Sequence, residues 1–133
     1  LSELIDRRAL IREVLEQTWL FGETVSPPVQ NRISDAMVLH EYQAGVALDA
    51  LPTGALFVVE SGLLTQARGG DVIGTIEARN FFAEEQVLFD RPGEFTYRTE
   101  QPSRIYEVPA AVIKDVPIVM WKMLEAYDLR GAG

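Results

Sequence analysis

Cysteine is absent from this 133-residue chain, and histidine occurs once. Without cysteine the chain forms neither disulfides nor thiolate metal sites. This composition is compatible with a reducing cytoplasm, which is the localisation we expect. The single histidine, His40, cannot by itself build a site of several histidine ligands. We therefore expect no bound metal ion.

Positive charge is also scarce. Twelve basic residues stand against twenty acidic ones, which gives a formal net charge of −8, and the only lysines are Lys114 and Lys122. Binding to nucleic acid draws most of its affinity from clustered lysine and arginine. This segment is therefore a poor partner for nucleic acid or an anionic membrane surface.

Long hydrophobic runs are missing as well, since no apolar stretch approaches the length that spans a bilayer. Glu3 and Asp6 interrupt the apolar N-terminus, which argues against a signal peptide. With 47% hydrophobic and 24% charged residues, the chain has the composition of one folded domain. Its first residue is Leu1 and not methionine, so we expect a fragment of a longer chain. We expect the rest of that chain to be one of its partners.

Helical patterns lie at both ends of the chain. Residues 2–20 place apolar side chains near one helical face. A second, short helix is predicted at about 27–36, with Ser26 as its N-cap and Pro27 at its first position. Residues 1–36 are thus predicted to form N-terminal helices, and residues 110–133 a C-terminal helical segment.

Between the helices, Gly and Pro punctuate short apolar stretches at regular intervals, as in a sandwich or barrel. The last stretch but one alternates Phe95, Tyr97 and Thr99 with polar neighbours, as a half-buried strand does. This part, 37–109, is predicted to be a β-roll. Its predicted strands are 37–42, 46–51, 55–61, 63–67, 71–78, 94–100 and 103–109.

The C-terminal segment has more apolar residues than one buried face requires. Asp115 is predicted to cap its helix and Pro117 to open it. Two interpretations stay open: a docking or lid surface for the parent chain or a homo-oligomer neighbour, and a plain cap on one end of the roll. The residues proposed for such a surface are Met120, Trp121, Met123 and Leu124.

The predicted fold class is therefore α+β: one domain over residues 1–133, a β-roll (jelly roll, or double-stranded β-helix) of about eight short strands with flanking helices. In that order and spacing, six stretches carry a resemblance to the cyclic-nucleotide-binding domain family. They are WLFGETVSPPVQNRISDAM (19–37), HEYQAG (40–45), ALFVVESGLL (55–64), VIGTIEARNFFAEEQVLF (72–89), SRIYEVP (103–109) and the helix that begins at Pro117.

The resemblance implies a phosphate-binding cassette at 79–96. In the family it has the form Gly-Asp-Phe-Phe-Gly-Glu, a short helix, then Pro-Arg-x-Ala-Thr. Here its first half reads Arg79-Asn80-Phe81-Phe82-Ala83-Glu84, and its second half reads Pro92-Gly93-Glu94-Phe95-Thr96. By resemblance, Glu84 would take the ribose hydroxyl. Gly93 replaces the arginine that pairs with the phosphate, and Phe95 replaces a small alanine.

These replacements oppose phosphate binding. A buried phosphate needs a paired counter-charge, and Gly93 supplies none. Three glutamates add negative charge nearby, and Ala83 would be strained if its position requires a positive φ. We predict a regulatory or interaction module that has lost cyclic nucleotide binding and carries no cofactor. Its degenerate pocket comprises Phe82, Ala83, Glu84, Glu85, Arg91, Gly93, Glu94 and Phe95.

Two other ligand hypotheses stay open. One is a working sensor of cyclic AMP or cyclic GMP in which Glu84 holds the ribose and Arg91 or Arg98 the phosphate. The other is a pocket for a neutral or cationic small molecule. Against both, we favour the interpretation that 81–89 is a short helix whose apolar residues fill the core: Phe81, Phe82, Val87, Leu88 and Phe89.

We expect no enzymatic activity. Glu84, Glu85 and Asp90 suggest paired acid and base carboxylates, but carboxylates in an acidic protein usually lie in solvent. No nucleophile, base and orienting group can be assembled around them. His40 shares its strand face with Val38 and Tyr42 and is expected to be half-buried.

Overall fold

The computed structural model describes residues 21–22, 25–48, 54–89 and 95–132. Helices at both ends of this part enclose seven short strands, which confirms the predicted α+β roll. The helix predicted at 2–20 lies outside the described residues. In chain order the elements are α1 (Pro27–Ala36), β1 (Val38–Tyr42), β2 (Ala55–Ser61), β3 (Leu63–Arg68), β4 (Asp71–Glu77), β5 (Phe81–Phe82), α2 (Glu84–Leu88), β6 (Thr96–Thr99), β7 (Ser103–Pro109), a short 3₁₀ helix (Ala110–Val112) and α3 (Pro117–Ala132).

The strands form two antiparallel sheets. The four-stranded sheet has the order β1-β7-β2-β5, and the three-stranded sheet has the order β4-β3-β6. β2 continues into β3 through Gly62, so one short turn carries the chain from the first sheet to the second. This glycine has φ +109°, and a Cβ there would lie 2.7 Å from the Cα of Ser103. Only glycine fits such a turn.

Strand β2 is buried on both faces along most of its length. Its residues Ala55 to Val59 are all buried, because helices cover one side of the four-stranded sheet and the roll interior covers the other. A continuous apolar run is typical of a strand buried on both sides.

Two hydrophobic clusters lie on the two sides of this sheet. The helical cluster includes Phe21, Ile33, Leu56, Val119 and Met123. The roll cluster includes Phe57, Leu64, Phe82, Phe95 and Tyr97.

Two predictions for the strands need correction. In the predicted strand 46–51, the described residues contain only an isolated bridge between Ala47 and Arg98, and the rest of that prediction lies outside the described residues. Phe81 and Phe82 do not belong to a helix, because they pair with Val58 and Phe57 of β2 as a short strand.

Most of the apolar residues predicted to fill the core at 81–89 do so. Phe81, Phe82 and Val87 are buried, and Leu88 is half-buried. Phe89 was predicted wrongly: it is 40% exposed and packs edge-on against Tyr127 of α3, with ring centroids 5.0 Å apart.

Helix α3 begins at Pro117 as predicted. Asp115, predicted as its cap, instead accepts a hydrogen bond from Arg32 of α1 at 2.9 Å. Ser26 stands at the N-cap position of α1, but its side chain makes no capping hydrogen bond. Within the described part of the chain, no helix has the length and hydropathy needed to span a membrane. The assignment of residues 1–133 to one domain of a larger chain stays a prediction.

Candidate functional site

The turn into α2 keeps a left-handed backbone where the cassette has lost its glycines. Ala83 precedes the helix with φ 66° and ψ 26°, and Arg79 has φ 71°. These two positions are where the resemblance places the two glycines of the cassette. A left-handed conformation costs a residue with a Cβ about 1–2 kcal/mol. The strain expected at Ala83 is therefore present, and Arg79 shares it.

The N–H of Ala83 is taken by the protein itself. It donates to the hydroxyl of Tyr97 on β6, with an N–O distance of 3.3 Å. The ring of Tyr97 lies 4.4 Å from that of Phe82, which in turn stacks on Phe57 at 5.3 Å. Three aromatic rings thus fill the roll next to the start of α2. The alternation along the strand predicted that Tyr97 shares a face with Phe95 and Thr99, but nothing in the sequence indicated its contact with Ala83.

Two buried carboxylates flank this contact. Glu84 and Glu85 are 0% and 1% exposed, so the expectation that they lie in solvent was wrong. Burial raises the pKa of the Tyr97 hydroxyl, and the charges of Glu85 and then Glu84 raise it further. The Ala83 N–H and the Gln66 amide oppose this shift of the pKa. The raised pKa indicates a surrounding that disfavours negative charge.

Phe95 is buried in the roll cluster. The guanidinium of Arg68 lies over its ring, 4.7 Å from the centroid. Sequence reasoning missed Arg68, because its position on the inner face depends on the pairing of β3 with β6.

Two other arginines, Arg98 and Arg91, were considered as partners of the phosphate. Arg98 is exposed on the outer face of β6, opposite in direction to the buried Tyr97, so it does not point into the roll. The predicted site residues Arg91, Gly93 and Glu94 lie outside the described residues, as does Asp90.

A row of three cross-strand neighbours crosses the three-stranded sheet on its inner face. Gln66 of β3 pairs with Tyr97 of β6 on one side and with Gly74 of β4 on the other. Next to this row a cleft of about 460 Å³ opens at the mouth of the roll. It is lined by Gln66, Arg68, Gly74, Ile76, Asn80 and Leu129, among others.

The residues proposed for a docking surface on α3 separate into buried and exposed ones. Met123 is fully buried in the helical cluster and cannot belong to such a surface. Met120 is partly buried against the same cluster. Trp121 and Leu124 are 62% and 41% exposed. The docking role stays a prediction for these two residues.

His40 is half-buried, as predicted, and its Nε2 lies 2.9 Å from Glu107 Oε1. Its ring stacks with that of Tyr42, with centroids 6.3 Å apart. Within the described ranges, no three His, Asp or Glu side chains come together as a metal site would require.

No known family profile matches this sequence, and no curated protein matches it either. Solved structures match its fold. The regulatory domain of Toxoplasma gondii protein kinase A, crystallised with cAMP, has a TM-score of 0.81 at 12% identity and covers 96% of this chain. The sensor domain of the transcriptional regulator DNR from Pseudomonas aeruginosa has a TM-score of 0.76 at 19% identity, covering 92% of this chain and 89% of its own.

A third neighbour is the regulatory subunit of a cAMP-independent protein kinase A from Trypanosoma cruzi, bound to guanosine. Its TM-score is 0.73 at 14% identity, over 84% of this chain and 40% of its own. This chain covers 51% of the Toxoplasma chain and thus spans about half of its length. At these identities the likeness shows the fold: the chain has the jelly roll of cyclic-nucleotide-binding regulatory domains.

Proposed function

We propose that this chain is a non-enzymatic regulatory or interaction module, part of a longer chain, whose roll does not take up a cyclic nucleotide. The hydrogen bond from Ala83 to Tyr97 carries the proposal. In an anion site at the start of a helix, the free backbone N–H groups point at the ligand. Here a protein hydroxyl accepts one of them, and the aromatic ring behind it occupies the adjacent space.

Charge supports the same conclusion. The phosphate of a cyclic nucleotide carries one negative charge, and burying it without a paired cation costs several kcal/mol. Glu84 and Glu85 are buried beside the position where it would lie, and they already hold the proton on Tyr97 more tightly. Arg98, one of the two cations considered for the phosphate, lies on the outer face of β6.

The neighbours are compatible with such a role. The Trypanosoma cruzi regulatory subunit is described as cAMP-independent, so the fold serves regulation in a chain that does not respond to cAMP. Two of the neighbouring kinase regulatory chains are about twice as long as this one, which supports the proposal that this module acts on an attached domain. We further propose the cytoplasm as its location.

Calorimetric titration with cyclic AMP and cyclic GMP tests the proposal. We expect no heat of binding for either nucleotide at concentrations up to 1 mM. Micromolar binding of either one would overturn it. Arg91→Ala and Arg68→Ala would then identify the cation that holds the phosphate. Arg98→Ala is the matched control, because its side chain is exposed on the other face of the strand.

A further inference from the structure

We propose that the outer face of α3 binds a basic amphipathic helix of a partner protein. The apolar side of that helix packs on Trp121 and Leu124, and its cationic side lies against Glu125 and Asp128. The proposal goes beyond the proposed function, because it gives an interaction module the chemistry of its partner at a second surface. It does not depend on whether the roll takes up a nucleotide.

Exposed apolar side chains form a strip along this face. Trp121 and Leu124 are 62% and 41% exposed and lie three residues apart, so they are neighbours on the helix surface. Tyr127 follows after three more residues, and its ring contacts that of Phe89, which is 40% exposed at the C-cap of α2. These four residues are called the α3 strip below. A contiguous exposed apolar patch indicates a surface that binds another molecule.

The core of the domain does not account for the α3 strip. Val119 and Met123, each two residues from Trp121, are fully buried in the helical cluster. Helical residues two apart do not share a face, so α3 packs on its inner side and carries a second apolar surface on its outer side. One apolar stripe is enough for a helix that covers a core. The second stripe is therefore available to a partner.

The charges on the outer face of α3 are negative. Among the side chains of α3 that the structure describes, the exposed charged ones are Glu125 and Asp128, and Lys122 is buried at 9% exposure. Glu125 lies four residues after Trp121, and Asp128 lies four residues after Leu124. Each apolar anchor thus has a carboxylate about one turn away. A cation over the ring of Trp121 would gain cation–π attraction and reach the carboxylate of Glu125.

The same charges disfavour a second copy of this chain as the partner. In a symmetric dimer each surface meets its own equivalent, so Glu125 and Asp128 of one copy would lie near those of the other. Like charges placed face to face weaken association, and each copy carries a net charge of −8. A basic amphipathic helix supplies apolar anchors at three- and four-residue spacing together with cations that pair with the carboxylates.

The test uses two synthetic peptides of identical length and composition, built from lysine, leucine and alanine. In the patterned peptide the leucines recur along one helical face, and in the scrambled peptide they do not. Fluorescence anisotropy measures the binding of each labelled peptide to the chain. We expect the patterned peptide to bind with a dissociation constant below about 50 μM, and the scrambled peptide to bind about ten-fold more weakly or worse. Chemical shifts of the ¹⁵N-labelled chain should change most at Trp121 and Leu124.

Variants of the two apolar anchors separate binding from folding. Trp121→Ala and Leu124→Ala should each weaken binding of the patterned peptide about ten-fold, as the loss of a central interface anchor does. Their melting temperatures should stay close to that of the wild-type chain, because both side chains are exposed.

Variants of the carboxylates test the charge complementarity. The double variant Glu125→Gln, Asp128→Asn should weaken binding of the patterned peptide about three- to five-fold, and added salt should weaken binding to the wild-type chain by screening the same attraction. The control is the double variant Glu41→Gln, Glu100→Gln. It makes the same change in net charge at exposed positions outside α3 and should leave binding within about two-fold of the wild-type value.

Other outcomes would contradict the proposal. If the scrambled peptide binds as tightly as the patterned one, only general charge attraction is present. If neither peptide binds at about 1 mM, or if Trp121→Ala and Leu124→Ala bind as the wild-type chain does, the α3 strip is not the site. If the chain forms dimers in sedimentation analysis that Trp121→Ala dissociates, a second copy occupies the strip. None of these results alters the outcome of the cyclic nucleotide titration, so the two proposals can fail separately.

Discussion

The two sheets of the roll differ in how much of their strands is buried. In the four-stranded sheet, β2 has five consecutive buried residues between two hydrophobic clusters. In the three-stranded sheet, β4 lies at an edge and only Ile76 of its seven residues is buried. Exposed on that strand are the apolar side chains Val72 and Ile73, at 67% and 45%.

This difference bears on stability. Area buried in the first sheet and its helices supplies the hydrophobic free energy of folding. The second sheet contributes less to that total, because most of β4 is exposed. We expect substitutions in the first region to lower the free energy of unfolding more than substitutions along β4.

The largest effect is expected where the two sheets join. Gly62→Ala would place a Cβ 2.7 Å from the Cα of Ser103 in a conformation that glycine alone adopts freely. Strain and overlap together should lower the free energy of unfolding by about 4 kcal/mol, as measured by urea denaturation. The control is Gly54→Ala, which has a similar positive φ but no atom within 4 Å. It should cost only about 1–2 kcal/mol. Equal losses at the two glycines would contradict the role of the close contact.

Helix α3 offers a matched pair of buried and exposed residues. Met123→Ala should lower the free energy of unfolding by about 3 kcal/mol, because the side chain is fully buried in the helical cluster. Trp121→Ala should change it by less than about 0.5 kcal/mol, because the ring is mostly exposed. Thermal and urea unfolding of the two variants measure this difference. A large loss at Trp121 would show that its ring is covered in solution.

The hydroxyl of Tyr97 should make the free energy of unfolding depend on pH in the alkaline range. Its pKa is raised above the unfolded value of 10.0, so the folded state holds the proton more tightly. That contribution to stability is complete below pH 10 and is lost as the pH rises further. Tyr97→Phe should cost about 1 kcal/mol at pH 7, because the Ala83 N–H loses its acceptor.

The pH dependence supplies the control for this variant. Urea unfolding at pH 7 and pH 11 measures the free energy of unfolding of the wild-type chain and of Tyr97→Phe. The difference between these two free energies should be smaller at pH 11 than at pH 7. A difference that stays constant would mean that Tyr97 titrates normally in the folded protein.

The smallest expected effect is an increase in the free energy of unfolding, on substitution of Arg79. Arg79 has a positive φ, and its buried Nη1 has no hydrogen-bond partner among the described residues. Arg79→Gly should raise the free energy of unfolding by about 0.5–1 kcal/mol, which is the relief of left-handed strain less the added entropy of the unfolded chain. Arg79→Ala keeps the strain and should not show this gain. If both variants stabilise equally, the side chain and not the backbone is responsible.

Much of this organisation follows from local sequence. The bounds of β7 were predicted at 103–109 because a polar turn and Pro109 enclose a short apolar stretch, and the alternation around Tyr97 predicted that it shares a strand face with Thr99. Burial of Glu84 and Glu85 could not be predicted, because charged residues are almost never fully buried without a partner.

The cleft could not be predicted for a different reason. Gln66 faces Gly74 only because the β3–β4 pairing shifts register between Gln66 and Ala67, which makes Ile73 the extra residue of a bulge. No local pattern in β3 or β4 predicts this shift. The partnership of Ala83 with Tyr97 likewise depends on contacts between elements 14 residues apart in the chain.

The bulge in β4 has a consequence for self-association. An apolar strand at the edge of a sheet invites a second molecule to pair with it and begin aggregation. Here the bulge disrupts the regular edge beside Val72 and Ile73, and Asp71 and Glu77 place a negative charge at each end of the strand. With a net charge of −8, two such edges repel each other before they can align. The irregularity that opens the cleft thus also helps to keep the molecules apart at high concentration.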